Sequence, residues 1–243
     1  MPRESKAAKR ERAAAVAAAL AAAYPRSTCA LAHETPFQLL VATALSAQTT
    51  DLAVNQATRQ LFARFPTPEA MAEAPDGAIE ACINGIGLWR NKAKNVRAAA
   101  QMLVDDHAGD VPHSVEALVK LPGVGRKTAT AVLGQVYGMA AGITVDTHML
   151  RINRLLKLST KEDAAKMAQE LEGLLTPEEW VAYTHRIIDH GRLVCVARRP
   201  RCGVCPLADL CPSAGNLAAG YKEANDEKEP ASAKGLSWLS LEA

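Results

Sequence analysis

Leu121-Pro122-Gly123-Val124-Gly125-Arg126-Lys127 leads directly into an apolar-periodic run, Ala129, Val132, Leu133 and Val136. Two glycines two apart, entered through a proline and followed by a helix, predict a tight hairpin. Its backbone N–H groups point outward at a helix N-terminus, a shape that cradles phosphate. The same register puts Lys127 in the first helical turn, where the positive end of the helix dipole and the neighbouring Arg126 both disfavour a cation. A lysine so placed is a candidate amine nucleophile, able to form a Schiff base with a sugar aldehyde.

Working outward, the flanking segments are also helical. The first 23 residues form an alanine-rich helix that breaks near Tyr24-Pro25, with residues 1–5 frayed. Phe37, Leu40, Val41, Ala44 and Leu45 follow i, i+3, i+4, i+7, i+8, an amphipathic stripe that stops at Ser46-Ala47-Gln48-Thr49-Thr50-Asp51. Thr67-Pro68 reads as an N-cap with proline at N1. Asn84-Gly85-Ile86-Gly87-Leu88-Trp89 is a second Gly-x-Gly turn before a helix whose apolar face includes Val96, Ala99, Ala100 and Leu103.

Downstream, Asp146 stands where an N-cap would stand, ahead of Met149, Ile152, Leu155 and Leu156. Ser159 with Glu162, and Thr176 with Glu179, read as capping boxes; they predict helices near 161–174 and 177–190, the second closed by Gly191 at C′. No segment alternates with period two, so the class is all-α, with about ten helices.

The 243 residues are 49% hydrophobic and 22% charged, the composition of a soluble globular protein. No run approaches a membrane span, and the N-terminus lacks a signal peptide's apolar stretch, so a cytoplasmic protein is expected. The net charge of +2 conceals an asymmetry, because residues 216–243 carry three Lys against five Asp and Glu. Basic residues cluster at Arg3 to Arg12 and at Arg192 to Arg201, a pattern suited to nucleic acid.

Six cysteines in a reducing compartment are not a disulfide framework. Cys29 and Cys82 stand alone in apolar surroundings and read as small buried hydrophobes. The other four form Cys195-x6-Cys202-x2-Cys205-x5-Cys211. Thiolates this close need a cation to neutralise them. Only Cys202-x2-Cys205 has a zinc-knuckle spacing, and the wider spans suit a bulkier [4Fe–4S] cluster, with zinc as the alternative. With Arg198, Arg199 and Arg201 inside it, the loop reads as a basic surface stapled by the metal group.

Together these motifs resemble the helix-hairpin-helix DNA glycosylase superfamily, and within it the endonuclease III branch, from about residue 6 to Pro212. The resemblance rests on Leu45 to Asp51, Gly85-Ile86-Gly87-Leu88, Leu121 to Ala129, Val145-Asp146-Thr147-His148, His190-Gly191-Arg192 and the four-cysteine loop. It implies a six-helix domain at 29–140 containing the helix-hairpin-helix. A cluster domain at 141–213 would be joined by the N-terminal helix at 1–28, with a DNA-binding cleft between the two and a tail at 214–243.

It further implies a monomeric, nucleoid-associated enzyme of base excision repair that acts on oxidised pyrimidines and abasic sites in double-stranded DNA. Lys127 would attack the sugar with Asp146 assisting, and β-elimination would follow. Gln48 and Leu88 would fill and wedge the opened duplex. Gly123, Gly125, Arg126, Thr128 and His148 would contact the DNA around the hairpin, and Arg192, Arg198 and Arg199 would add attraction to phosphate. Cys195, Cys202, Cys205 and Cys211 would hold a [4Fe–4S] cluster.

Two alternatives remain. A mismatch adenine glycosylase would carry a catalytic Glu on the helix at 37–47, where the matching position is Ala42, and would lack Lys127. A non-catalytic DNA-binding or damage-sensing module would need neither Lys127 nor Asp146.

Overall fold

Helix starts in this chain are set by short polar side chains. Seven α-helices begin behind a Ser, Thr or Asp whose side chain accepts the N–H three residues on. The structure, a computed structural model, describes residues 4–215, and among them every regular element is helical. In order these are α1 (Lys6–Ala23), α2 (Pro36–Leu45), α3 (Asp51–Arg64), α4 (Pro68–Ala72), α5 (Ala78–Ile83) and α6 (Trp89–His107). Then come α7 (Val115–Leu118), α8 (Arg126–Tyr137), α9 (Thr147–Leu155), α10 (Ala164–Glu172) and α11 (Trp180–Leu193), with three 3-10 turns at Pro177–Glu179, Cys202–Val204 and Ala208–Leu210.

The apolar faces bury into two separate cores. The first runs from Leu31 to Leu133 and centres on Leu39, Leu45, Leu61, Ile79 and Leu103. The second joins Ala13, Val16 and Leu20 of α1 to Met149, Ile152, Met167, Leu171, Tyr183 and Ile187. Within it the Tyr183 hydroxyl donates to Asn153 Oδ1 at 2.6 Å, and Asn153 Nδ2 donates to the Met149 carbonyl at 2.9 Å. Both residues are buried, so this pair satisfies polar groups that water does not reach.

The cores meet where α8 crosses α11. A Cβ on Gly134 would stand 2.6 Å from Val181 Cγ2, so glycine permits the close approach. Gln135 then bridges the seam, lying 2.9 Å from His185 Nε2 through its Oε1 and donating from Nε2 to Thr28 Oγ1 at 3.3 Å. Cys29 and His185 line a cavity of about 150 Å³ beside it. Cys82 is buried as expected, whereas Cys29 is only half-buried, at this seam.

Two local expectations change. The helix predicted near 161–174 starts at Ala164, its cap shifted four residues from Ser159 to Asp163, because the buried Ser159 hydroxyl is taken by Glu170 at 2.6 Å. Glu162 pairs instead with Arg154. Gly191 is not a C′ residue: α11 continues through it to Leu193. Ser213, at the expected end of the cluster region, donates to the Leu155 carbonyl at 2.7 Å. The Thr176–Glu179 box forms as expected, opening a 3-10 turn that runs into α11. The apolar tip Leu236, Trp238 and Leu239 lies outside the described residues.

Candidate active site and nucleic-acid interface

The hairpin forms where the sequence placed it. Gly123 has φ 79°, and a Cβ on it would stand 2.9 Å from Asn95 Cβ, so both backbone and space require glycine. Gly125 is different: its φ is −88° and an added Cβ would meet nothing within 4 Å. Glycine here provides openness. As the N-cap of α8 it offers no side-chain acceptor, so the first N–H groups of the helix face outward. Arg126 and Lys127 are the first two residues of α8 and both are exposed, with Thr128 half-buried behind them.

Asp146 is the N-cap of α9, its Oδ1 accepting the Met149 N–H at 2.8 Å. The half-buried carboxylate is therefore held in one orientation. Its neighbour Val145 and Lys127 line the same cleft, of about 340 Å³, with Thr130, Ile143 and Ala168. Glu172 fixes the connecting strand of chain by accepting the Ile143 N–H at 2.9 Å. The sequence motifs at 121–127 and 145–148 are thus adjacent in space.

Gln48 and Leu88 share an unusual backbone. Both are exposed and both are left-handed, with φ of 54° and 58°, a conformation costing a non-glycine residue about 1–2 kcal/mol. The likeness between the two Gly-x-Gly turns does not extend to structure. In the second turn neither Gly85 nor Gly87 has positive φ, and Leu88 takes that conformation as the N-cap of α6, its side chain 62% exposed.

The basic residues divide. Arg198 and Arg199 are exposed on the cysteine loop. Arg192 instead meets Asp51 at 2.5 Å, tying the end of α11 to the first residue of α3. The pair is partly exposed and screened, so it orients these elements more than it stabilises them. His148 packs its ring on Gly191, where a Cβ would stand 2.4 Å from His148 Nδ1. Burial pushes the His148 pKa down, opposed by Asp146 and assisted by Arg151 and Arg192, which favours a neutral ring. Its Nδ1 is buried without a hydrogen-bond partner.

Cys195, Cys202, Cys205 and Cys211 are free, half-buried and line one pocket with Ile152 and Leu207. Among the described residues no three His, Cys, Asp or Glu side chains converge closely enough for a single metal ion. A tetrahedral zinc site would need the sulfurs about 4 Å apart, given Zn–S near 2.3 Å. Four thiols lining one pocket, with x6 and x5 spans outside the single short knuckle, fit an iron–sulfur cluster. Burial pushes the thiols of Cys195, Cys202 and Cys205 up, and neighbouring cysteines add to the shift, so bound iron would reverse a standing penalty.

Partners of this loop were not legible beforehand. Arg151 Nη1 approaches Cys195 Sγ at 3.5 Å, and His190 Nε2 lies 3.7 Å from Cys205 Sγ. The Tyr24 hydroxyl is 2.9 Å from His190 Nδ1. Burial lowers the His190 pKa to about 4, so the ring is neutral; Nδ1 accepting from Tyr24 leaves Nε2–H to face the sulfur. The sequence cue was His190-Gly191-Arg192 just ahead of Cys195, but nothing there points to Tyr24.

Residues 41–177 match the HhH-GPD superfamily of base excision DNA repair proteins, and residues 195–211 match the iron–sulfur binding domain of endonuclease III. The endonuclease III of Synechocystis is 46% identical over 86% of this chain and 95% of its own length. The Escherichia coli K12 enzyme is 40% identical over 77% of this chain and 88% of its own. A non-covalent endonuclease III–DNA complex superposes with a TM-score of 0.80 at 37% identity, covering 86% of this chain and 98% of that one. A trapped endonuclease III–DNA covalent intermediate gives 0.79 at 38% identity and the same coverage.

Proposed function

The chain belongs to the HhH-GPD superfamily of base excision DNA repair proteins, and on that footing we propose that Lys127 is the nucleophile of its DNA glycosylase and abasic-site lyase activity. The observation that carries this assignment is the exposed Lys127 on the uncapped first turn of α8, beside the chain that presents Asp146. A related endonuclease III is known as a trapped covalent intermediate with DNA, which supports an enzyme nucleophile here.

The substrate is an oxidised or ring-saturated pyrimidine in duplex DNA, flipped from the stack at a cost of a few kcal/mol. The lone pair of Lys127 Nζ attacks C1′, the bond from C1′ to the base breaks, and the base leaves with a proton. Asp146 faces the positive charge that develops on the sugar, and its cap to Met149 keeps it in place. Ring opening gives a protonated Schiff base; loss of a C2′ proton then expels the 3′ phosphate by β-elimination. Abasic sites enter at the amine-attack step.

DNA lies across the junction of the two cores, with region 29–140 on one side and regions 1–28 and 141–213 on the other. Gly123, Gly125 and Arg126 meet the backbone; Gln48 and Leu88 enter the stack; Arg198 and Arg199 add phosphate contacts. The four cysteines hold a [4Fe–4S] cluster, which supplies a rigid staple for the loop carrying those arginines. The protein acts as a monomer on chromosomal DNA. No helix among the described residues is long and apolar enough to cross a membrane.

The adenine-glycosylase reading is disfavoured by Ala42, which is fully buried in the first core where that branch places an acid. Borohydride trapping on an abasic duplex tests the proposal. Lys127→Gln should retain DNA binding and lose both the trapped adduct and strand cleavage. An adduct formed by this variant would assign the nucleophile to another amine, and wild-type binding without any adduct would favour a non-catalytic module.

A further inference from the structure

Lys92 is the least expected lysine in the molecule. It sits on the first turn of α6, four residues after Leu88, and is only 7% exposed. Its Nζ donates to the Ala47 carbonyl at 2.8 Å and to Thr49 Oγ1 at 2.8 Å. Those two acceptors flank Gln48. Its backbone N–H donates to the Leu88 carbonyl at 3.1 Å. One residue is therefore bonded to both sides of the left-handed Gln48 and to the left-handed Leu88 itself.

A lysine is an expensive choice for this place. Burial lowers its pKa, and it faces a carbonyl and a hydroxyl in place of a carboxylate. An apolar side chain would fill the same space without that penalty, but it could not fix the turn. The turn needs fixing, because a non-glycine residue at positive φ persists only where its surroundings impose it. The remaining local bonds, Thr49 N–H to Ser46 O at 3.0 Å and Thr49 Oγ1 to Ala47 O at 3.2 Å, lie within the turn and do not connect it to α6.

We propose that Lys92 is a positioning residue that ties the Gln48 turn to the Leu88 helix start, so that the two side chains enter the opened duplex at a fixed separation. The proposal rests on the DNA-inserting roles given above to Gln48 and Leu88. Lys92 touches neither the flipped base nor the reacting sugar; it acts through Gln48. Its loss therefore slows the step that needs an opened duplex and spares cleavage of an abasic site in single-stranded DNA, which has no opposite strand to wedge.

The test is a double-mutant cycle on the full-length, iron-loaded protein with Lys92→Met, Gln48→Ala and both together. Single-turnover base release is measured on a duplex carrying a ring-saturated pyrimidine opposite 2-aminopurine, whose fluorescence reports disturbance of the orphan base. Lys92→Met should slow base release about tenfold or more and blunt the fluorescence change, while single-strand abasic cleavage stays within about twofold. In the Gln48→Ala background the same substitution should cost less than about twofold. Thr49→Val removes one acceptor and leaves the lysine in place, giving a milder version of the defect should Lys92→Met fold poorly.

Full multiplicativity of the two substitutions, or equal loss on duplex and single-strand substrates, would overturn the proposal. Normal excision by Gln48→Ala would refute the inserting role of that residue and leave Lys92 nothing to act through. A defect in Gln48→Ala with none in Lys92→Met or Thr49→Val would refute the strap alone.

Discussion

Replacing Gly191 by alanine sets two opposed effects against each other. In the interior of α11, alanine is favoured over glycine by about 1 kcal/mol on helix propensity. The new Cβ, however, would stand 2.4 Å from His148 Nδ1, 3.1 Å from His148 Cγ and 3.0 Å from Ile152 Cδ1. The Ile152 methyl is the end of a flexible chain and can swing aside. The imidazole is a rigid, half-buried ring on the first turn of α9, and it must move as a unit. Overpacking of this kind costs about 1–3 kcal/mol, here towards the upper part of that range.

The net expectation is a destabilisation of about 1–2 kcal/mol, which lowers Tm by roughly 2–8 °C in a protein of this size. Because α9 begins at Asp146, displacement of His148 also disturbs the carboxylate, and trapping should slow by more than the loss of folded protein explains. Calorimetry with single-turnover trapping measures both. The double variant with His148→Ala should recover most of the stability, since the ring that collides is gone. A Tm raised by about 2–4 °C, the value propensity alone would give, would refute the reasoning.

Two further outcomes follow from buried polar groups. Tyr183→Phe strands Asn153 Oδ1 in the second core and should cost about 1–3 kcal/mol in denaturant unfolding; Asn153→Leu added to it should recover part of that loss, and no change on Tyr183→Phe would deny the bond its role. Burial lowers the His185 pKa below its ordinary 6.5, opposed by Asp189. Below that pH the unfolded chain takes up a proton that the folded chain resists, so stability falls with falling pH from about 6.5. His185→Gln should flatten this dependence in unfolding measured between pH 8 and pH 5, and an unchanged slope would assign the loss elsewhere.

The hairpin and the helix starts at Thr67, Asp146 and Thr176 were legible because their causes are local. Gly123 needs positive φ, Asp146 caps the helix that follows it, and Thr176 with Glu179 forms its box from four consecutive residues. What was not legible depends on partners distant in sequence. Gly191 resembles a helix terminator until His148 lies against it, and Ser159 resembles a cap until Glu170 takes its hydroxyl. Lys92 carried a faint signal, since it precedes Val96 by one helical turn on the apolar stripe of its helix, a position where a lysine is out of place. Its acceptors at Ala47 and Thr49 are more than forty residues away and have no signature of their own.

The division into two cores has a consequence for synthesis. The buried face of α1, Ala13, Val16, Ala17 and Leu20, packs in a core whose other members, Tyr24 apart, begin at Ile143. A chain emerging at about 5–20 residues per second leaves α1 without that core for on the order of ten seconds, while the intervening helices can assemble around their own. α1 is made before the helices of the first core and is seated after them. Its alanine-rich composition suits that interval, because small side chains expose little apolar surface to other nascent chains, and Lys6, Lys9, Arg10 and Arg12 keep the waiting segment charged.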